Sequence, residues 1–252
     1  MTVAVMGIVD RIEASGVVAV VNPPPRGAAG PLATVLCEAG VPAIEITFRA
    51  EGAAAAIAEI AGALPEALVG AGTVLTVRQA AEALDAGAQF VVSPGTNPAV
   101  VEYVLGRGAV MLPGIATPSE IELNLALGID VMKAFPAELI GGVRFLRALS
   151  GPYQAVRFVP TGGINARNLA EYLALPNVLA VGGSWIAPPD LVAAGDFVAI
   201  GELARVTAGL VRIATGLGRR VSGRSALRSD VTAAERAIAR PDGRGRRPLP
   251  GP

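Results

Sequence analysis

The sequence predicts a single-domain (β/α)8 barrel, an α/β fold in which parallel strands alternate with helices. Short apolar runs alternate along the chain with longer segments of helical period, and eight such pairs follow one another. The runs are apolar throughout, which is typical of parallel strands buried on both faces. No G-x-G-x-x-G motif follows the first run, which counts against an open, dinucleotide-binding sheet. These patterns together favour the closed TIM barrel.

The apolar runs give the predicted strands, in chain order 17–21, 43–47, 68–70, 90–92, 110–112, 131–133, 157–160 and 179–181. Helices fill the intervals, over 30–39, 51–63, 77–86, 98–106, 117–127, 141–149, 165–174 and 189–213. A short amphipathic helix over 4–14 precedes the first strand and is expected to cover the bottom end of the barrel.

Capping residues mark several helix starts, because their side chains can accept from the free N–H groups of a first turn. Thr76 and Asn97 each stand directly before a predicted helix, and Asn165 stands at the start of one. Thr117 is followed three residues later by Glu120, which is the pattern of a capping box.

The composition changes near residue 216. Residues 216–252 carry nine arginines against three acidic residues and are rich in Gly and Pro, whereas residues 1–215 are net acidic. We therefore expect a barrel domain over 1–215 and a disordered basic tail over 216–252. The tail is expected to be dispensable; weak polyanion binding or a subunit contact is the alternative. The acidic domain shows no sign of a nucleic-acid-binding face.

The chain lacks the features of membrane and secreted proteins. Gly, Pro or a charged residue interrupts each apolar stretch well before the roughly 18 residues that suggest a membrane span. The first residues lack the basic start, apolar core and cleavage site of a signal peptide. Cys37 is the single cysteine and cannot form an internal disulfide. A cytoplasmic protein without membrane association is expected.

Two features of the composition bear on chemistry. There is no histidine, so imidazole cannot serve as a general acid, a general base or a metal ligand. Lys133 is the single lysine among 21 basic residues. A desolvated lysine can offer a neutral amine nucleophile, whereas arginine cannot. Lys133 is therefore a candidate nucleophile; its chance retention in an arginine-rich chain is the alternative.

Polar residues occur where the predicted strands end, which is where a barrel places its chemistry. The second strand is expected to present Glu45, Thr47 and Arg49 on one face, and the third is followed by Thr73. Glu45 and Lys133 should both face the interior. Because an isolated buried carboxylate is costly, Glu45 is expected to act as an acid or base beside the amine. A structural ion pair is the alternative.

Glycine pairs follow the seventh and eighth predicted strands, in the segments TGGI and GGSW. Where side chains are absent, backbone N–H groups can approach an anion, and the N-terminus of a following helix adds its dipole. Barrels often bind phosphate after these two strands. The pattern predicts a phosphate site at Gly162, Gly163 and Gly183, with the Ser184 hydroxyl as a further donor.

Seven segments occur in the order found in one known family: AGVPAIEITFR, VGAGTVLT, AGAQFVVSPGTNP, LPGIATPSEI, KAFPAE, VRFVPTGGIN and NVLAVGGSWI. The chain thereby resembles the KDPG (2-dehydro-3-deoxy-6-phosphogluconate) aldolase / 4-hydroxy-2-oxoglutarate aldolase family, with KAFPAE and GGSW the most diagnostic segments. The resemblance implies a class I (Schiff-base) lyase of the Entner–Doudoroff route. It also implies a homotrimer that needs no metal and no cofactor.

The resemblance further implies a role for each candidate residue. Lys133 is implied to form the Schiff base with C2 of the keto acid, and Glu45 to transfer protons. Arg49 and Thr73 are implied to hold the substrate carboxylate. The other implied substrate-binding residues are Pro94 and Phe135 in the pocket wall, and Thr161, Gly162, Gly163, Gly183 and Ser184 in the phosphate loops.

The implied reaction is cleavage of 2-dehydro-3-deoxy-6-phosphogluconate to pyruvate and glyceraldehyde 3-phosphate. Phe48 and Ala134 replace residues that are usual in the family, so substrate preference could differ. The alternatives within this chemistry are 4-hydroxy-2-oxoglutarate and the phosphogalactonate epimer. The alternative of another class is a non-catalytic barrel that binds phosphorylated metabolites.

Overall fold

The computed structural model describes residues 3–216 of the chain. Its elements in order are α1 Val3–Ser15, β1 Val17–Val21, α2 Ala29–Glu38, β2 Ala43–Thr47, α3 Ala53–Ala63, β3 Leu68–Gly72, α4 Val77–Asp85, β4 Phe90–Val92, α5 Pro98–Gly106, β5 Val110–Leu112, β6 Gly114–Ile115, α6 Pro118–Ala126, β7 Val131–Ala134, α7 Gly142–Leu149, β8 Arg157–Phe158, α8 Leu169–Leu173, β9 Val181–Gly183, α9 Pro189–Ala194 and α10 Phe197–Ala214.

The strands pair in parallel throughout the described part of the chain. Six form a curled sheet in the order β5-β4-β3-β2-β1-β9, and three form a second sheet in the order β6-β7-β8. Glu45 of β2 lies opposite Val20 of β1 and Gly70 of β3, and Lys133 of β7 lies opposite Gly114 of β6. Parallel strands joined by helices confirm the predicted α/β class. The carboxyl ends of neighbouring strands therefore meet at one edge of each sheet.

β5 has the predicted bounds 110–112. Pro113 separates it from β6, which was not predicted, because proline has no N–H to donate to a strand ladder. Its carbonyl still accepts from the N–H of Lys133 at 2.9 Å. On the other side of the same strand, the N–H of Ser93 donates to the carbonyl of Leu112 at 3.3 Å. The fifth strand thus lies between β4 and β7.

Three predicted helix caps are confirmed. Thr76 and Asn97 each accept from a backbone N–H of the following first turn, at 3.2 Å in both cases. Thr117 and Glu120 form the reciprocal capping box that their spacing predicted.

The predicted helix over 165–174 was wrong at its start, because α8 begins only at Leu169. The Asn165 side chain accepts from the N–H of Arg167 at 2.9 Å, and the Asn165 N–H donates to the side chain of Asn168 at 2.8 Å. These side-chain bonds satisfy the backbone in a turn, which competes with the helix.

The single helix predicted over 189–213 is two helices. Gly195 has a φ of +67° and ends α9, and the side chain of Asp196 accepts from the N–H of Ala199 at 3.0 Å to begin α10. Glycine adopts this left-handed conformation at little cost and commonly stops helices.

Buried apolar side chains form two clusters. The larger packs the helices onto the strands. The smaller joins one face of strands from both sheets to the first helix; its members include Val9, Ile12, Val18, Ala43, Leu68, Phe90, Val110 and Val131. Since strand residues alternate between faces, this second cluster marks the inner face of the sheets. The contacts of α1 confirm the helix predicted over 4–14 and its place against that cluster.

The described helices include none that is both long and apolar enough to cross a membrane. The tail predicted over 216–252 lies outside the described residues from residue 217 onward.

Ile12 should be important for stability, because it is fully buried in the inner cluster. We expect Ile12→Ala to lower the free energy of unfolding by about 2–5 kcal/mol, through lost burial and the cavity that remains. Urea denaturation followed by circular dichroism measures this. Glu202→Ala, at an exposed position of α10, is the control and should change the value by less than about 0.5 kcal/mol. An equal effect of both substitutions would contradict the assigned packing of α1.

Candidate active site

Glu45 and Lys133 meet inside the protein, 88 residues apart in sequence. Glu45 is two residues beyond Ala43, and Lys133 is two residues beyond Val131, so both face the same side as the inner cluster. They are 3% and 4% exposed, and the Lys133 Nζ lies 3.4 Å from the Glu45 Oε1. The predicted pairing of this amine and this carboxylate is therefore present in the structure.

Two glycines near the pair allow close packing, Gly72 against Glu45 itself and Gly114 against the backbone of Pro94. A Cβ at Gly72 of β3 would overlap the carboxylate of Glu45. Gly114 lies opposite Lys133 across the ladder, and a Cβ there would overlap the carbonyl of Pro94. The sequence reasoning missed Gly72, although two glycines in a buried strand are a signal for a close approach.

Phe135 lies beside the amine. The Lys133 Nζ is 5.3 Å from the centroid of the Phe135 ring, and the ring is half-buried. An aromatic face at this distance attracts a cation and also excludes water from one side of the nitrogen. Phe135 is joined to Pro136 by a cis peptide bond.

The structure places Arg49 differently from the predicted alternation. β2 ends at Thr47, and Phe48 and Arg49 form a turn, so Arg49 does not continue the inward face of the strand. Its side chain is exposed and makes no hydrogen bond or ion pair with another described residue. Arg49 is thus available at the edge where β2 ends.

Thr73 directly follows β3 and has a φ of +56°, the one positive value found outside glycine in the described residues. A β-branched residue rarely adopts this conformation, which costs on the order of 1–3 kcal/mol. Such strain concentrates at functional sites. This strain supports the selection of Thr73 as a site residue, although nothing in the sequence indicated its positive φ.

Two further polar contacts lie at the same strand ends. The Thr47 hydroxyl donates to the Asn22 Oδ1 at 2.9 Å, and the buried Ser93 hydroxyl donates to the carbonyl of Gly95 at 2.6 Å. Pro94, which was predicted to shape the pocket wall, lies between Ser93 and Gly95 in the sequence and is half-buried. The sequence reasoning did not single out Asn22 or Ser93, because each depends on a partner that only the fold supplies.

The loop after β8 is fixed by backbone hydrogen bonds to the loop after β7. The N–H of Ala137 donates to the carbonyl of Thr161 at 2.8 Å, and the N–H of Glu138 donates to the carbonyl of Gly162 at 3.1 Å. In a trans peptide the carbonyl and the N–H point in opposite directions. The N–H groups of Gly162 and Gly163 therefore face away from Ala137 and Glu138. The Gly162 N–H is directed at the carbonyl of Gly182 through the parallel bridge between Thr161 and Gly182, whereas the Gly163 N–H has no acceptor among the described residues.

The end of β9 lies next to this loop. Gly182 and Gly183 were predicted to follow the eighth strand, but they are the last residues of β9 and pair with Val18 and Ala19 of β1. Thr161 forms a parallel bridge with Gly182, and a Cβ at Gly182 would overlap the Thr161 hydroxyl. Gly183 is covered by the ring of Trp185, whose Nε1 donates to the Thr207 hydroxyl at 3.2 Å.

Ser184 is exposed at the tip of this second loop, and its N–H has no acceptor within residues 3–216. The prediction that a helix N-terminus adds its dipole directly behind each loop was wrong. α8 and α9 begin only at Leu169 and Pro189 and are short, with five and six residues. The free donors of the loops are therefore backbone groups of turns, not of a first helical turn.

The structure thus brings the predicted site residues to one edge, where parallel strands end. The amine of Lys133 is in contact with Glu45 and lies near the ring of Phe135. The two glycine segments are neighbours because Thr161 forms a bridge with Gly182. Over residues 3–216, no group of three Asp, Glu or Cys side chains is placed to hold a metal ion.

Comparison with known proteins agrees with this arrangement. The sequence profile of the KDPG and KHG aldolase family matches residues 8–203. A 2-dehydro-3-deoxy-phosphogluconate aldolase from Treponema pallidum is 52% identical over 206 residues, covering 82% of this chain and 98% of the relative. A KHG/KDPG aldolase from Escherichia coli K12 is 47% identical over 175 residues, covering 69% and 82%.

A solved structure extends the likeness to the fold. It is the KDPG aldolase from Legionella pneumophila, with pyruvate captured at low pH as a covalent carbinolamine intermediate. It superposes with a TM-score of 0.76 at 37% identity, over 79% of this chain and 97% of that chain. The resemblance predicted from the sequence is confirmed, and the chain belongs to the KDPG and KHG aldolase family of carbon–carbon lyases.

Proposed function

We propose that the chain is a class I aldolase that cleaves 2-dehydro-3-deoxy-6-phosphogluconate to pyruvate and glyceraldehyde 3-phosphate. The observation that carries the proposal is the buried contact of the Lys133 Nζ with the Glu45 Oε1 at 3.4 Å. A sole lysine placed beside a carboxylate meets both needs of Schiff-base chemistry, a nucleophilic amine and a group that moves protons.

The proposed reaction starts at the substrate C2 carbonyl. A proton passing from Nζ to Oε1 leaves a neutral amine, which attacks C2 and forms a carbinolamine. Glu45 then protonates the leaving hydroxyl, and loss of water gives an iminium. Glu45, as the carboxylate, removes the proton of the C4 hydroxyl through a water molecule. The C3–C4 bond breaks, its electrons pass to the iminium as an enamine, and the aldehyde leaves. Protonation at C3 and hydrolysis release pyruvate and the free lysine.

The two ends of the substrate need different partners. In the proposal, Arg49 and Thr73 hold the carboxylate of the pyruvyl part, supported by the unpaired guanidinium of Arg49 and its position where β2 ends. Pro94 and Phe135 line the wall beside the amine.

The phosphate is assigned to the glycine loops at Thr161, Gly162, Gly163, Gly183 and Ser184. The support is the N–H groups of Gly163 and Ser184, which are exposed and lack an acceptor in residues 3–216. Backbone N–H groups of exposed turns that are not used within the protein can bind an anion together.

Two alternatives are open to the same site. One is 4-hydroxy-2-oxoglutarate, in line with the name of the Escherichia coli relative, and another is the phosphogalactonate epimer. The free loop N–H groups favour a phosphorylated substrate over the first. A non-catalytic barrel that binds phosphorylated metabolites is the alternative of another class; the Lys133–Glu45 pair argues against it.

The proposal includes a closed eight-stranded barrel in which β5 and β6 count as one strand. Support comes from hydrogen bonds that link the two sheets at both junctions: Lys133 N–H to the Pro113 carbonyl at 2.9 Å, and Gly182 N–H to the Pro160 carbonyl at 2.9 Å. The bridge between Phe158 and Val178 adds a further link at the second junction.

The proposal also includes a homotrimer in the cytoplasm that takes part in the Entner–Doudoroff pathway. Exposed apolar side chains on several helices and loops support a subunit contact; they are Leu75, Val77, Leu105, Leu123, Leu125, Leu139 and Val198. Light scattering during gel filtration tests the assembly, which should have three times the chain mass of 25.4 kDa.

Reduction with borohydride in the presence of pyruvate should add one reduced pyruvyl group to Lys133. The reason is that reduction traps the iminium, and Lys133 is the single lysine. Intact mass and peptide mapping locate the adduct. Lys133→Arg retains the positive charge but offers no amine, so it should form no adduct and should lose kcat/KM at least about ten-thousand-fold.

The folded state of Lys133→Arg, checked by circular dichroism, is the control for this loss. Substantial turnover by the variant, or no adduct in folded wild-type protein, would contradict the Schiff-base mechanism.

Gly72→Ala should displace the carboxylate of Glu45, since the added Cβ would overlap it. We expect kcat to fall by about 10- to 100-fold, because misplacing a catalytic group by about 1 Å can cost that much. Gly62→Ala in α3 is the matched control: nothing lies within 4 Å of its Cβ position, so activity should be unchanged. Equal activity of the two variants would remove Glu45 from the reaction.

Deleting residues 216–252 should leave kcat/KM nearly unchanged, because the family profile ends at residue 203 and α10 ends at Ala214. Steady-state kinetics of the truncated and full chains compare the two. We therefore propose 1–215 as the catalytic domain and 216–252 as a tail. A large loss of activity or of assembly on truncation would assign the tail a part in one of them.

A further inference from the structure

Glu138 is the last residue of the motif KAFPAE, and the proposed reaction gives it no role. Its carboxylate accepts a short hydrogen bond from the hydroxyl of Tyr172 in α8. Tyr172 has no exposed surface, whereas Glu138 belongs to the exposed class of residues. The bond therefore ties a surface loop after β7 to a side chain anchored in the core.

Two glycines are required by this contact. A Cβ at Gly142, whose φ is +57°, would lie 3.0 Å from the Tyr172 hydroxyl and 3.1 Å from the Glu138 Oε1. A Cβ at Gly163, whose φ is +83°, would lie 2.5 Å from the Glu138 Cγ and 2.7 Å from its Cβ. The aliphatic part of Glu138 thus packs directly against the backbone of the second glycine in the loop after β8.

The backbone of Glu138 reaches the same loop. Its N–H donates to the carbonyl of Gly162, and the N–H of Ala137 donates to the carbonyl of Thr161. These two bonds set the peptide planes so that the N–H groups of Gly162 and Gly163 face the opposite side. The position of Glu138 therefore determines which way the donors of the loop point.

We propose that Glu138, held by Tyr172, is a positioning residue that orients the backbone N–H group of Gly163 toward the phosphate of the substrate. This inference rests on the proposed function, and it assigns to one side-chain bond the selectivity for phosphorylated over unphosphorylated keto acids. Glu138 supports the loop from behind and does not itself bind the anion, since two negative groups would repel each other.

The surroundings of the bond favour a fixed arrangement. The Tyr172 pKa is raised, first by burial and then by the hydrogen bond to Glu138, so the phenol stays neutral and donates. A groove of about 270 Å³ runs along the bond, and Arg144 and Glu171 are its other charged residues. Glycine-rich turns are otherwise free to rotate, because glycine has the widest choice of backbone conformations. An oriented loop therefore needs a support outside its own sequence.

Tyr172→Phe in the full-length enzyme tests the inference, because it removes the donor hydroxyl and retains the buried ring. We expect KM for 2-dehydro-3-deoxy-6-phosphogluconate and Ki for inorganic phosphate to rise by about 5- to 20-fold, as for loss of one bond to a charged group. Values of kcat, and the yield of the pyruvate adduct on Lys133, should stay near those of the wild type. kcat/KM for unphosphorylated 2-dehydro-3-deoxygluconate should not change.

Two further variants sharpen the comparison. Glu138→Gln keeps an oxygen that can accept from Tyr172, so it should retain most of the phosphate selectivity, whereas Glu138→Ala should lose it as Tyr172→Phe does. Tyr153→Phe is the matched control. The Tyr153 hydroxyl also donates to a carboxylate, that of Glu122, at 3.1 Å. Tyr153 precedes β8, so it lies at the end of the strands opposite to the glycine loops. It should alter neither KM nor Ki.

A selective loss of affinity for the phosphorylated substrate and for inorganic phosphate supports the positioning role. An equal loss for the phosphorylated and unphosphorylated substrates would show a general structural role and overturn it, as would no change in either. Failure of the proposed function is distinguishable, because it shows in the wild-type enzyme. Absence of the Lys133 adduct, or of inhibition by inorganic phosphate, would overturn the inference before any variant is compared.

Discussion

The contact between Lys133 and Glu45 is the constraint that most of the structure serves. Moving an amine and a carboxylate out of water is expensive, and such a pair is rarely worth its burial for stability alone. Removing one partner of a buried pair typically costs about 3–5 kcal/mol. Here the pair is 3.4 Å apart in a space left by Gly72, while the carbonyl of Pro113 fixes the backbone of Lys133. Several local features thus hold two groups whose presence is otherwise unfavourable.

The parallel arrangement of the strands by itself brings the proposed substrate-binding residues together. Every strand that ends at the same edge delivers the residues of its following loop there, so residues far apart in sequence become neighbours. Arg49 and Thr73 follow adjacent strands β2 and β3, and the two glycine loops follow β8 and β9. In the proposed mechanism the carboxylate and phosphate ends of the substrate therefore meet different parts of one rim, with the amine between them.

The sequence predicted the parts of this arrangement that depend on local pattern. Strands 17–21, 43–47 and 90–92 have the predicted bounds, because apolar runs flanked by turn residues are informative by themselves. It did not predict that alternation stops before Arg49, that Thr73 takes a positive φ, or that Gly195 divides the last helix. These depend on tertiary contacts or on one backbone angle. The same holds for Glu138 and Tyr172, since their bond joins residues 34 apart.

The two ends of the proposed substrate are recognised by chemically different means, and this has a consequence for specificity. A guanidinium such as that of Arg49 carries its own charge and geometry, so it can bind a carboxylate from an exposed turn. Backbone N–H groups have only the direction that the peptide plane gives them. A loop of glycines accepts an anion closely, but its own residues do not fix that direction. Selectivity for phosphate must therefore come from the residues that hold the loop, and in this fold the loop after β7, through Glu138, is placed to do so.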